Sequence, residues 1–71
     1  MTWNYRIVEK NGTQGIHEVY YDNGEPTAVT ENPVEIVWDV GNNACYIRNQ
    51  IMQAFDQPVL YYDSFGSKTP F

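Results

Sequence analysis

Few side chains in this sequence can do chemistry near neutral pH. His17 is the only histidine and Cys45 the only cysteine in 71 residues. A metal site of imidazoles and thiolates would therefore have at most one ligand of each kind. One cysteine also rules out an intrachain disulfide, and the expected state of Cys45 is a reduced, half-buried thiol. A nucleophilic Cys–His pair would have to be Cys45 with His17, brought together from distant parts of the chain. As a general base, His17 needs a nucleophile or a substrate pocket within hydrogen-bond reach. No hydroxyl or carboxylate stands at triad spacing, so a packed imidazole bonded to Thr30 or Glu9 is the expectation. Glu31, Glu35 and Asp39 recur every four residues. Paired-carboxylate hydrolysis needs two acids at one pocket with one held protonated, whereas solvated acids on a strand face explain the spacing with less. The sequence thus predicts no catalytic residue, no metal and no cofactor, and His17 is where a small enzyme would have to be sought.

Nine acids against four bases give a formal charge of −5. Such a chain is repelled by phosphate backbones, which argues against direct nucleic-acid binding. It suits a soluble protein, and equally one that docks on a basic partner. Glu31, Glu35 and Asp39 could also imitate a row of phosphates. An inhibitor of phage or mobile-element type, occupying the channel of a nucleic-acid enzyme, is the alternative function. The start, MTWNYRIVEKNG, lacks a basic-then-apolar leader, and no stretch nears the roughly 18 apolar residues of a membrane span. A cytoplasmic protein without membrane contact is expected, and the sequon at Asn11-Gly12-Thr13 carries no weight there.

The elements that must position these groups are mainly strands. Trp3, Tyr5 and Ile7 alternate with Asn4 and Arg6, the period-two signature of a half-buried strand. NGTQG, residues 11–15, is read as a five-residue loop, and Ile16 to Asp22 as the returning strand. That register opposes Ile7 with Val19 and Tyr5 with Tyr21, and places Trp3, Tyr5, Ile7, His17, Val19 and Tyr21 on one face. Asn23-Gly24 is a strong two-residue hairpin signal, leading through Asp22 opposite Glu25 into a third, weaker strand. Pro26 there predicts an irregular or edge start. VEIVWDV, residues 34–40, has the cleanest alternation and is read as a fourth strand. A helix capped by Asn42 or Asn43 is predicted to run to about Phe55, its stripe of Ala44, Ile47, Ile51, Ala54 and Phe55 covering the sheet. VLYYD adds a short extended segment with Tyr61 packed and Tyr62 outward, and SFGSKTPF reads as a loose tail in which Phe71 has no assignable role. The fold class is α+β: an antiparallel sheet of three to four strands with one helix on one face, in a single domain with an ordered core over about 3–63 and a tail over 64–71.

WNYRIVE, IHEVYYDNGEP, TENPV and AFDQPVLYYDSF occur in the order in which they stand in a family of small bacterial proteins of unknown function, which this chain resembles from residue 3 to about 65. The helix, GNNACYIRNQIMQAF, departs from the family's Leu-rich pattern. The resemblance implies the fold and a bacterial source and brings no activity. The order of strands then helix is also similar to that of HicB-like antitoxin domains, at the level of fold alone.

If the helix covers Trp3, Tyr5 and Ile7, then Val8, Ile16, Glu18, Tyr20 and Val29, with Val37 beside them, form an uncovered face, and Arg6 can pair with Glu18. Uncovered apolar faces mark partner or dimer surfaces. The function read from the sequence is a small non-enzymatic interaction or regulatory module, binding another protein or a second copy of itself through that face.

Overall fold

The computed structural model describes residues 2–41 and 44–70. Three strands form two consecutive hairpins: β1 (Thr2–Lys10), β2 (Thr13–Asp22) and β3 (Glu25–Thr30). Both turns are two-residue Asn-Gly turns with positive φ throughout, Asn11 at 53° and Gly12 at 80°, then Asn23 at 52° and Gly24 at 80°. A turn of that kind has the twist of the strands it joins. The first turn therefore closes at Asn11-Gly12, not across five residues. Ile7 opposes Ile16, Tyr5 opposes Glu18 and Trp3 opposes Tyr20. Moving the register by an odd number of residues exchanges the faces of one strand relative to the other. Trp3, Tyr5 and Ile7 hence share a face with Ile16, Glu18 and Tyr20, while Arg6 and Val8 join His17, Val19 and Tyr21. The second hairpin pairs Asp22 with Glu25 as expected, but a register shift between Tyr20 and Tyr21 skips Thr27, so that Val19 opposes Val29 and not Ala28, the partner that an unbroken register from the turn implies.

After β3 the Glu31 amide donates to the Thr69 carbonyl (2.8 Å) and the Val34 amide to the Ile16 carbonyl (2.7 Å). Pro33 packs on Gly15, where an added Cβ would lie 3.1 Å from its Cγ. Beyond Val34 the predicted fourth strand does not form. Period two assigns faces but provides no partner, and β1 and β3 pair on their outer sides with two C-terminal strands. Helix α1 (Ala44–Phe55) packs beside β1. It is followed by β4 (Leu60–Tyr61), a 3₁₀ turn (Tyr62–Ser64) and β5 (Ser67–Thr69). The sheet order is β4-β1-β2-β3-β5, with β4 parallel to β1 and β5 parallel to β3. The fold is thus α+β with one helix and a mixed, strongly curled sheet of five strands, not a purely antiparallel one.

The curl follows from chain length. The outer strands of a flat five-strand sheet lie about 19 Å apart. The link from Tyr61 to Ser67, half of it in a 3₁₀ turn, spans at most roughly 16 Å. The sheet must bend, and its concave face buries Val8, Val19 and Val29 under Phe65. Tyr21, Leu60 and Tyr62 close the margins. Residues expected as a loose tail thus provide both an edge strand and a core side chain, and Tyr62 packs inward while Tyr61 is exposed. Each fully buried Val or Phe contributes roughly 1.5–3 kcal/mol, a large share in so small a domain. Phe71 and the predicted caps Asn42 and Asn43 lie outside the described residues. Among the described residues no helix is long and apolar enough to cross a membrane.

Candidate functional site

His17 lies inside the concave face at 1% exposure. Its Nδ1 donates to the Thr30 carbonyl at 2.9 Å. That bond holds the ring proton on Nδ1 and leaves the lone pair on Nε2. The Thr30 hydroxyl donates to the Asn32 carbonyl at 2.9 Å. Burial lowers the His17 pKa below its ordinary value; the Thr30 carbonyl opposes this and the Lys10 charge adds to it. Tyr62 tilts over the imidazole with ring centroids 6.4 Å apart. The Nζ atoms of Lys10 and Lys68 stand 4.4 Å and 4.9 Å from the Tyr62 ring centroid. Both ammonium groups also bond main-chain carbonyls, of Glu31 and Phe65 respectively. This arrangement holds a neutral imidazole in place as packing. Cys45 is exposed on α1 and not half-buried. Among the described residues no group of three or more His, Cys, Asp and Glu side chains could hold a metal ion.

Arg6 also sits on the concave face, opposite His17. Its Nη1 donates to the Tyr21 hydroxyl (3.0 Å) and its Nη2 to the Pro58 carbonyl (2.7 Å), while Nε is buried without an acceptor. The expected Arg6–Glu18 pair does not form, because the two side chains point to opposite faces. Arg6 instead ties the sheet to the chain leaving α1. Glu18 lies opposite Tyr5 and beside Tyr20, and burial and then its charge raise both phenol pKa values.

The five residues read as one uncovered face are divided by the register. Val8 and Val29 are fully buried in the concave core and present nothing to a partner. Ile16, Glu18 and Tyr20 are half-buried on the convex face beside Trp3, Tyr5 and Ile7. Ile16 and Ile7 line a cavity of about 400 Å³ with Phe55, Gln57 and Val59. Glu31, Glu35 and Asp39 are all exposed.

The helix does not use its stripe as predicted. Of the five stripe residues only Ala54 is buried, and it is Tyr46, Gln50 and Gln53 that form a cleft with Trp3, Asn4 and Tyr5 of β1. Ala44, Ile47 and Ile51, with Met52, instead form one wall of a second cavity, about 250 Å³, whose other wall is Ile36 and Trp38. Arg48 is its one charged lining residue. The exposure of this segment keeps the strand alternation: Ile36 44%, Val37 69%, Trp38 46%. Val40, Met52 and Phe55 are also largely exposed. The main chain of residues 35–38 makes no hydrogen bond to any described residue. Two apolar patterns that normally announce burial therefore meet in an open groove. Their periodicity was the sequence signal for this groove, but it pointed to a core.

No protein-family model, curated protein sequence or solved structure matches the chain.

Proposed function

We propose that this protein is a non-enzymatic interaction module, and that it binds another protein through the groove between residues 34–40 and α1. One observation carries the reading: Ile36, Trp38 and Met52 are exposed around one apolar cavity in a domain whose concave core is filled. Single exposed apolar residues are ordinary, but a contiguous group with an apolar cavity at its centre is what partner surfaces display. Tryptophan is enriched at binding hot spots and methionine at adaptable surfaces. The sheet face argued from the sequence is a weaker candidate, since two of its five residues are enclosed.

The test is capture by the tagged protein from a lysate of the organism that encodes it, alongside the Ile36→Ser/Met52→Ser variant. The expected result is a near-stoichiometric protein that the wild type retains and the variant loses while its thermal melt is unchanged. Equal capture by both would remove the groove as the binding surface. The acidic-inhibitor reading draws on the exposure of Glu31, Glu35 and Asp39. It predicts that lysine at Glu35 and Asp39 abolishes capture and that the groove variant does not.

A further inference from the structure

We infer that the groove takes an extended segment of the partner, apolar on one side and basic on the other, which pairs as a β-strand with residues 35–38; this rests on the interaction-module reading and specifies the partner's chemistry.

Three independent features of residues 35–39 define the occupant. The first is the main chain. The amides and carbonyls of residues 35–38 bond to no described residue, and an unpaired run of β-formers is a template for another strand. The second is the apolar row. Ile36 and Trp38 face the helix wall of Ile47, Ile51 and Met52, so alternate side chains of an added strand would enter that cavity. The third is charge. Side chains alternate across a strand, so the intervening positions of the partner come up beside Glu35, Val37 and Asp39, away from Arg48.

Those acids are not neutralised from within. No carboxylate has an ion-pair partner among the described residues. Arg6 is buried and bonded to Tyr21 and Pro58. Lys10 and Lys68 bond carbonyls and flank Tyr62, and Arg48, the one cation lining the cavity, forms no ion pair with a described carboxylate. With the chain at −5, an incoming strand bearing Lys or Arg beside Glu35 and Asp39 is drawn in electrostatically. A second copy is the poorer occupant: pairing two copies antiparallel about Val37 places Glu35 opposite Asp39 twice, and like charges directly opposed destabilise a ladder.

The experiment uses the full chain carrying Trp3→Phe, so that Trp38 is the sole indole. The probe is a blocked heptapeptide of alternating lysine and valine, titrated to millimolar concentration and followed by Trp38 emission. A saturable blue shift is expected, weakened by salt. The glutamate–valine counterpart should bind about tenfold more weakly or worse, and Glu35→Lys/Asp39→Lys should reverse that order. Methylating the peptide's ladder amides should abolish binding. Equal binding of the two peptides, or undiminished binding of the methylated one, overturns the proposal. A dimer in sedimentation that Ile36→Ser dissociates would make a second copy the occupant and also overturn it. If groove-dependent capture from lysate succeeds while the lysine peptide fails, the module reading stands and this partner chemistry falls.

Discussion

The concave face of the sheet and the groove beside the helix are written in the same kind of sequence and end in opposite states. Val8, Val19 and Val29 lie at inward positions of three paired strands and are fully enclosed. Ile36 and Trp38, also β-formers at alternate positions, stay nearly half exposed. What separates them is the availability of a cover. The C-terminal segment folds Phe65 over the concave face and fixes itself at both edges of the sheet through β4 and β5. Past the Val34 bond to Ile16, the 34–40 segment has Ile36 and Trp38 facing one flank of a short helix. An apolar pattern states that a surface wants cover, and the rest of the chain decides whether it is given.

That contrast can be broken most severely at Phe65. Phe65→Ala should remove about 3–5 kcal/mol, comparable to the whole stability of a domain this size. A urea melt should show a largely unfolded variant; one that melts like wild type would mean that the C-terminal cover does not hold the concave core. Next comes Gly15→Val, which drives a branched side chain into Pro33. A loss of roughly 1–3 kcal/mol is expected, against little change for the same substitution in an open strand position.

The pH response probes the same enclosed side more gently. Burial holds the His17 pKa below its unfolded value, which is about 6.5. Above that pH neither state carries the proton and stability is at its full value. As pH falls below about 6.5 the unfolded chain protonates first, so stability declines until the lower, folded pKa is reached. Melts at pH 7.5 and 5.5 should show this loss in the wild type and a smaller one in His17→Gln. Equal losses would place the titration elsewhere. The smallest effect belongs to the groove: Ile36→Ser should change stability by no more than about 0.5 kcal/mol. A loss several times larger would mean that Ile36 is part of the core.

Much of the fold was legible in local sequence. The β-strand alternation of residues 3–7, the Asn23-Gly24 turn, the irregularity at Pro26 and a helix ending at Phe55 are each set by nearby chemistry. The first register differs from the five-residue loop because Asn11-Gly12 is itself a complete two-residue turn, and the Thr-Gln-Gly that follows belongs to β2. That difference put Val8 on the concave face, and the shift in the second hairpin put Val29 there beside Val19, so that together they divided the candidate docking surface. The roles of β4, β5 and Phe65 were hidden for another reason. Parallel pairing to distant strands leaves almost no local trace, and two- or three-residue strands are too short for a period. The groove lay in plain view as two apolar patterns, but neither pattern says which partner it will find.

The most direct test of the enclosed-versus-open contrast is native-state amide hydrogen exchange on the isolated protein, comparing Val19 and Val29 with Ile36, Val37 and Trp38. The account predicts protection close to that of global unfolding for the two valines in the sheet, and exchange near the free-peptide rate for residues 36–38. Comparable protection in both regions would show that residues 36–38 are already paired, and would contradict the proposal that this protein keeps an unpaired segment and groove for a partner.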